Sequence, residues 1–322
     1  MKTILYYNYG SPDVLKCEEI EKPAVGDHEV LIKVRAASVN PVDFHLIRGK
    51  PLFVRLMIGG LRKPKITRPG FDVAGQVEAV GRSVMQFKPG DEVFGACRGA
   101  FAEYACVIED NLALKPANSS FEDAAAVPVA AITALQGLRD KGGIQRGQKV
   151  LVDGASGGVG TFAVQIAKSF GAEVTAVCST RNVHTARSIG ADHVIDYTRE
   201  DFTQSGQRYN LILAANAYHS IFDYRRALSQ DGIYVMAGGG WAQILQTMLL
   251  GPLLSLIGSK KMRFFIAKIN KNDLVLLKDL LEGGKVVPVI DRRYPLSSVA
   301  EALRYLEEGH AQGKVVITVE HS

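Results

Sequence analysis

The residues with the clearest capacity for chemistry are glycines. Residues 150–168 read VLVDGASGGVGTFAVQIAK: an apolar run, then Gly154, Ser156, Gly157, Gly158, Val159 and Gly160, then a helical pattern. Gly154 and Gly157 permit a tight turn and a close approach of backbone to a pyrophosphate. Gly160 lets the helix pack on the strand before it, and free N–H groups at the helix start face the phosphates. Such spacing is weak evidence by itself, but here a strand precedes it and a helix follows, the context it needs. A second group, 238–240, ends another apolar run; Gly238 and Gly239 permit close approach to the same ligand. Two glycine clusters at strand ends imply a dinucleotide.

The residues after the second apolar run of this region decide which one. A unit that binds NAD usually places an acid there, on the ribose 2′-hydroxyl. Residues 176–182 read AVCSTRN, with no acid and one arginine. Arg181 can pair with a 2′-phosphate, and Ser179 and Asn182 can donate hydrogen bonds to it. NADP(H) is favoured. The other reading makes Asn182 a helix cap and Arg181 a solvated charge.

The elements that must position these residues follow from periodicity. Up to residue 119 the chain reads as short strands between turns, with 29–38, 72–80 and 102–107 the clearest. Ser119 or Ser120 then caps a helix that runs to residue 138, broken at Pro128. Beyond it, strands at 149–153, 173–178, 193–196, 210–214, 233–237 and 262–267 alternate with helices at 158–170, 182–189 and 221–228. Continuous apolar strands alternating with helices predict a parallel sheet covered on both faces, an α/β fold. After a helix at 272–281, strands at 286–290 and 314–319 flank a helix at 297–308 and return to the first domain.

Composition narrows the function classes. With 322 residues the chain is long enough for two domains. Its 38 Lys and Arg exceed 33 Asp and Glu by only five, too small and dispersed an excess to predict nucleic-acid binding. Cys17, Cys97, Cys106 and Cys178 form no C-x-x-C pair, which argues against a zinc ribbon and for a reducing compartment. No histidine stands at ligand spacing to another, and none is assigned to catalysis. No targeting segment is visible, so a cytoplasmic protein is expected. Residues 232–259 carry no charge, but Gln243, Gln246, Gly251, Pro252 and Ser255 interrupt the apolar run, which argues against a membrane span.

A set of motifs resembles the medium-chain dehydrogenase/reductase superfamily: ASVNPVD at 37–43, RPGFDVAG at 68–75, FKPGDEV at 87–93, the Gly154 loop, and GHAQGKVV at 309–316. The likeness covers essentially the whole chain and is closest to the zinc-free quinone oxidoreductase and alkenal/enone reductase branch. It implies a GroES-like barrel over 1–122 and 285–322, a Rossmann domain over 123–284, and the cofactor in the cleft between them. Zinc-dependent relatives carry a cysteine where this chain has Asn40 and Gly-His-Glu where it has Gly70, Phe71 and Asp72. No thiolate or imidazole stands there to bind zinc.

The resemblance also supplies site residues. Asn40 is the candidate for contact with substrate or nicotinamide ribose, its amide donating to an oxyanion, or it caps the turn at Pro41. Thr133 matches a threonine near the nicotinamide, or bonds back to its own helix. Tyr197 matches a tyrosine flanking the adenosine 2′-phosphate, or is a half-buried strand-end tyrosine. Asn216 is a cofactor-binding candidate through its backbone groups; it stands in a stretch that departs from the family pattern, so the family's polar contacts do not carry over. Lys314 lies in the closing motif as a cofactor-binding candidate. The expected function is NADPH-dependent reduction of α,β-unsaturated carbonyls or quinones, without metal, by a homodimer. The other class is a catalytically quiet NADPH-binding or membrane-associated interaction protein. The apolar stretches 51–65 and 241–258 read as a greasy substrate entrance with peripheral membrane contact, or as dimer-interface or core helices.

Overall fold

The computed structural model describes residues 1–57 and 60–321. It forms two compact units: residues 1–129, 269–283 and 290–322, and residues 130–268 and 284–289. The C-terminal segment 290–322 belongs to the first unit. The boundaries differ, because the helix Lys271–Glu282 belongs to the first unit, where Asn118 Nδ2 donates to the carbonyl of Leu281. Residues 284–289 then cross back, held by Gln165, whose side chain bonds both the N–H and the carbonyl of Val287. The apolar run 286–290 is therefore not a strand; the strand is the charged, exposed Ile290–Pro295.

The second unit is a doubly wound parallel sheet. Its six strands run His193–Asp196, Glu173–Cys178, Lys149–Asp153, Tyr209–Ala214, Leu228–Met236 and Lys261–Phe264 across the sheet, and every neighbouring pair is parallel. Strands buried on both faces must be apolar throughout, and Val150, Leu151, Val152, Leu211, Ile212 and Leu213 are fully buried. Strand order reverses between Lys149–Asp153 and Tyr209–Ala214, the topological switch point at which such sheets bind ligands.

The first unit is a GroES-like, mainly antiparallel sheet of seven strands. Its organising element is Glu29–Val39, which bends at two register shifts and pairs with Asp72–Val80 along its length. Its first half also pairs with Tyr104–Ile108, and its last four residues with Lys314–Thr318. That last pairing brings position 314 beside position 40. Asn40 ends the strand and opens the helix Pro41–Arg48, with Pro41 at the first helical position.

Among the described residues no helix is long and apolar enough to cross a membrane. The uncharged stretch forms the 16-residue helix Trp241–Leu256. Of 51–65, Leu52–Met57 is a short helix, and residues 58 and 59 lie outside the described residues.

Candidate functional site

At the switch point, Lys149–Asp153 runs into Gly154, whose φ of +78° is one that residues with a side chain rarely adopt. Gly157 is the N-cap of the helix Gly158–Ser169 and offers no side-chain cap. The N–H groups of Gly158, Val159 and Gly160 thus have no partner within the helix. Ser156, Gly157, Gly158 and Val159 are partly exposed, whereas Gly160 is buried. A Cβ at Gly160 would meet the Gly154 carbonyl oxygen at 2.0 Å, while one at Gly157 would find nothing nearer than 3.7 Å. Gly160 therefore packs the helix on the loop, and Gly157 keeps a space open beside unpaired donors.

The neighbouring strand end adds a second polar group. Ser179, at the end of Glu173–Cys178, is followed by a turn at Thr180–Asn182. Arg181 is exposed; Asn182 is buried, its amide Nδ2 donating to Ser179 Oγ over 3.1 Å. The amide oxygen of Asn182 is buried without a partner, an orphan that a ribose or phosphate group would satisfy directly or after the amide turns over. The chemistry of an NADP-type adenosine end fits these residues. Tyr197 is half-exposed beside them, its N–H donating to the Cys178 carbonyl and its ring 6.0 Å from that of Tyr218.

Sequence reasoning missed the acid that does flank this strand end. Asp196 lies opposite Cys178 on the adjoining strand. Its carboxylate accepts from the hydroxyls of Thr180 and Thr198 and from the Thr198 N–H. The Thr180 hydroxyl foremost holds it below the usual aspartate range. Its oxygens are committed to the protein, so it does not supply the free ribose acceptor of an NAD site.

Gly238 and Gly239 follow the strand Leu228–Met236, and their lack of side chains has a local cause. A Cβ at Gly238 would meet the Ala215 carbonyl at 2.5 Å, and one at Gly239 the Ala217 carbonyl at 2.6 Å. They let this strand end lie against residues 215–217, where Asn216 is exposed and its N–H bonds the Asp153 carbonyl.

Asp153 itself is the other residue the sequence did not flag. Its side chain is buried at the base of the glycine loop, accepting from the Tyr224 hydroxyl. Burial lifts its carboxyl to about 7, against the pull of Tyr224 and the Gly154 N–H. The folded protein keeps this proton to about pH 7, and the unfolded chain releases it near pH 4. Folding thus loses about 1.4 kcal/mol per pH unit across that window as pH rises. Asp153→Asn is expected to gain roughly 2–3 kcal/mol relative to the parent between pH 5 and pH 8, read by urea denaturation. The same difference at both pH values would contradict this assignment.

In the first unit, residues distant in sequence meet in one buried polar cluster. The Lys314 ammonium donates to Asn40 Oδ1 (2.7 Å), Asp72 Oδ2 (3.2 Å) and the Val39 carbonyl (3.3 Å). Asn40 Nδ2 donates to Asp72 (2.8 Å), as does the Ser38 hydroxyl (2.7 Å). The other Asp72 oxygen accepts from the Val129 N–H. Asp43 accepts from the N–H groups of Asn40 and Gly70, its carboxyl raised above the ordinary range by burial first and by Asp72 beside it. Both polar ends of Asn40 and all three donors of Lys314 are thus taken up within the protein. These two residues hold the strand end in place. Thr133 is partly buried on the helix Pro128–Gln136. Among the described residues no group of three or more His, Cys, Asp or Glu is arranged to hold a metal.

Two family models match the chain. Residues 26–117 match the alcohol dehydrogenase GroES-like domain, and residues 189–317 match the zinc-binding dehydrogenase model. The chain is 40% identical to 2-methylene-furan-3-one reductase of Solanum lycopersicum, over 98% of its own length and 79% of that protein's. It is 37% identical, with the same coverage, to the chloroplastic NADPH-dependent alkenal/one oxidoreductase of Arabidopsis thaliana. A solved quinone oxidoreductase from Coxiella burnetii superposes with a TM-score of 0.87 at 28% identity, covering 99% of each chain.

Proposed function

Since the chain belongs to the medium-chain dehydrogenase/reductase superfamily, we propose that it is an NADPH-dependent oxidoreductase acting on the activated C=C of α,β-unsaturated carbonyls or on quinones. The observation that carries this is the pair of polar groups at the switch point: an uncapped glycine-rich helix start, and an adjoining strand end with Ser179, Arg181 and an orphaned Asn182. NADPH, when bound, supplies the hydride. The 154–160 loop admits the pyrophosphate to the backbone N–H groups, and Arg181 and Ser179 take the 2′-phosphate. Tyr197 flanks the adenosine.

Reduction of a conjugated carbonyl leaves negative charge on its oxygen, which needs donors and no metal. Thr133 is the donor we assign to it. Asn40 acts by position, fixed between Asp72 and Lys314. Water returns the proton to the carbon next to the carbonyl. The substrate is apolar, and we propose that it is met at a membrane surface. We also propose a homodimer. Four free cysteines, with Cys17 exposed, suit the cytoplasm.

NADPH oxidation against a panel of enones, alkenals and quinones tests the reading. Arg181→Ala should lower kcat/KM for NADPH by about 10–100-fold and leave NADH little changed. An unaltered cofactor preference would defeat the 2′-phosphate assignment. Tight NADPH binding with no turnover on any member of the panel would favour a binding protein instead.

A further inference from the structure

The helix Trp241–Leu256 keeps a broad apolar face exposed, unlike a helix on a water-facing surface. A soluble amphipathic helix buries its large apolar side chains and exposes its polar ones. Here polar and small residues share the inward face with Ile244, Leu250 and Leu254, which pack on the apolar core of the second unit. Gln243 Nε2 donates to the Tyr218 carbonyl, and Gln246 Oε1 accepts from the Ile221 N–H. Thr247 and Gly251 are buried, and Ser255 accepts from the Met262 N–H. The outward face is apolar throughout: Leu245, Met248, Leu249, Leu253 and Leu256 are 49–83% exposed. Ile257 extends it past the helix end at 64%.

Cations collect at that same end. Arg225 Nη2 donates to the Ile257 carbonyl, Lys260 to the Arg225 carbonyl and Lys261 to the Ser255 carbonyl. Arg208 belongs to the group: it and Arg225, together with burial as the larger cause, press the Lys260 ammonium below its ordinary range. Among the described residues none of these four forms an ion pair with a carboxylate; their partners in the protein are backbone carbonyls.

We propose that this helix docks the protein on an anionic phospholipid bilayer, its leucine face entering the interface while Arg208, Arg225, Lys260 and Lys261 meet the head groups. An apolar stripe ending in cations that no carboxylate neutralises is the pattern of a helix that lies in the membrane plane. At 16 residues it extends about 24 Å, short of the roughly 30 Å hydrocarbon core; it lies on the bilayer and does not span it. The charge favours lipid over a second copy, since a two-fold contact across this face repeats the like-charged cluster. The proposal rests on the apolar-substrate reading for its use, and on the helix and the cations at its end for its binding.

Flotation of the full chain with phosphatidylcholine vesicles, with and without 30% phosphatidylglycerol, is the test. Binding is expected only with the anionic lipid and should fall by about tenfold on going from 50 to 500 mM salt. Leu249→Glu with Leu253→Glu should abolish flotation, and Arg208→Ala with Lys260→Ala should weaken it. Both pairs should leave reduction of a water-soluble enone without vesicles unchanged. Loss of that activity in the parent chain would defeat the enzymatic reading and not this one. The docking proposal falls if the parent chain does not float with anionic vesicles. It also falls if the leucine pair converts a dimer to monomers while flotation persists.

Discussion

Replacing Lys314 by methionine is expected to lower stability by about 3–5 kcal/mol, the cost of breaking a buried ion pair by removing one partner. Lys314 is 3% exposed and Asp72 fully buried, so neither charge has water to fall back on. Methionine matches the stem of lysine but brings no donor. Asp72 would keep only the neutral donors Ser38, Asn40 and Val129, and Asn40 Oδ1 would lose its ammonium partner. The damage should centre on the first unit, where Lys314–Thr318 pairs with the end of Glu29–Val39. Adding Asp72→Asn to the methionine variant should recover part of the loss, because no unpaired charge then remains. Urea denaturation of the parent, both single variants and the double variant measures the coupling. A loss below about 1 kcal/mol for Lys314→Met, typical of an exposed pair, would show that the cluster does not hold this strand.

That cluster also marks where sequence reading stops. Ser38, Asn40, Asp43, Asp72 and Lys314 are spread over most of the chain, and each alone reads as a cap, a motif residue or a ligand contact. Only the antiparallel register of three strands brings them together. The parallel sheet was legible because strands buried on both faces must be apolar runs; 149–153, 173–178 and 193–196 have the bounds that hydrophobicity predicts. The same rule misleads at 286–290, an apolar run whose backbone at Val287 is satisfied by the side chain of Gln165 and not by a strand. The true strand, Ile290–Pro295, sits at a sheet edge, where arginines are tolerated and the apolar signal is lost. Glu92–Ala96 and Leu112–Leu114 are strands that the sequence did not distinguish from the turns around them. At the glycine loop, spacing identified the turn but could not tell a packing glycine from a ligand glycine.

Two substitutions separate those roles, and the larger effect belongs to Gly160→Val. Its Cβ alone would stand 2.0 Å from the Gly154 carbonyl oxygen and 2.7 Å from Ala155 Cα. Both obstacles are backbone, so the loop itself must open, and overpacking of this kind costs about 1–3 kcal/mol. With the loop displaced, the first-turn N–H groups no longer point as a set, and NADPH affinity should fall by 100-fold or more, about 3 kcal/mol. Gly157→Ala should behave differently. Gly157 has φ −82° and ψ 177°, which alanine adopts freely, and its methyl would meet nothing nearer than 3.7 Å. Its Tm should therefore match the parent's. The methyl nevertheless occupies the space through which a pyrophosphate approaches the backbone, so affinity for NADPH should still fall by about tenfold. Titration of NADPH fluorescence alongside thermal melts reads both quantities. If Gly157→Ala binds NADPH as the parent does, the space beside Gly157 is not where the phosphates lie, and the loop would be a packing device alone.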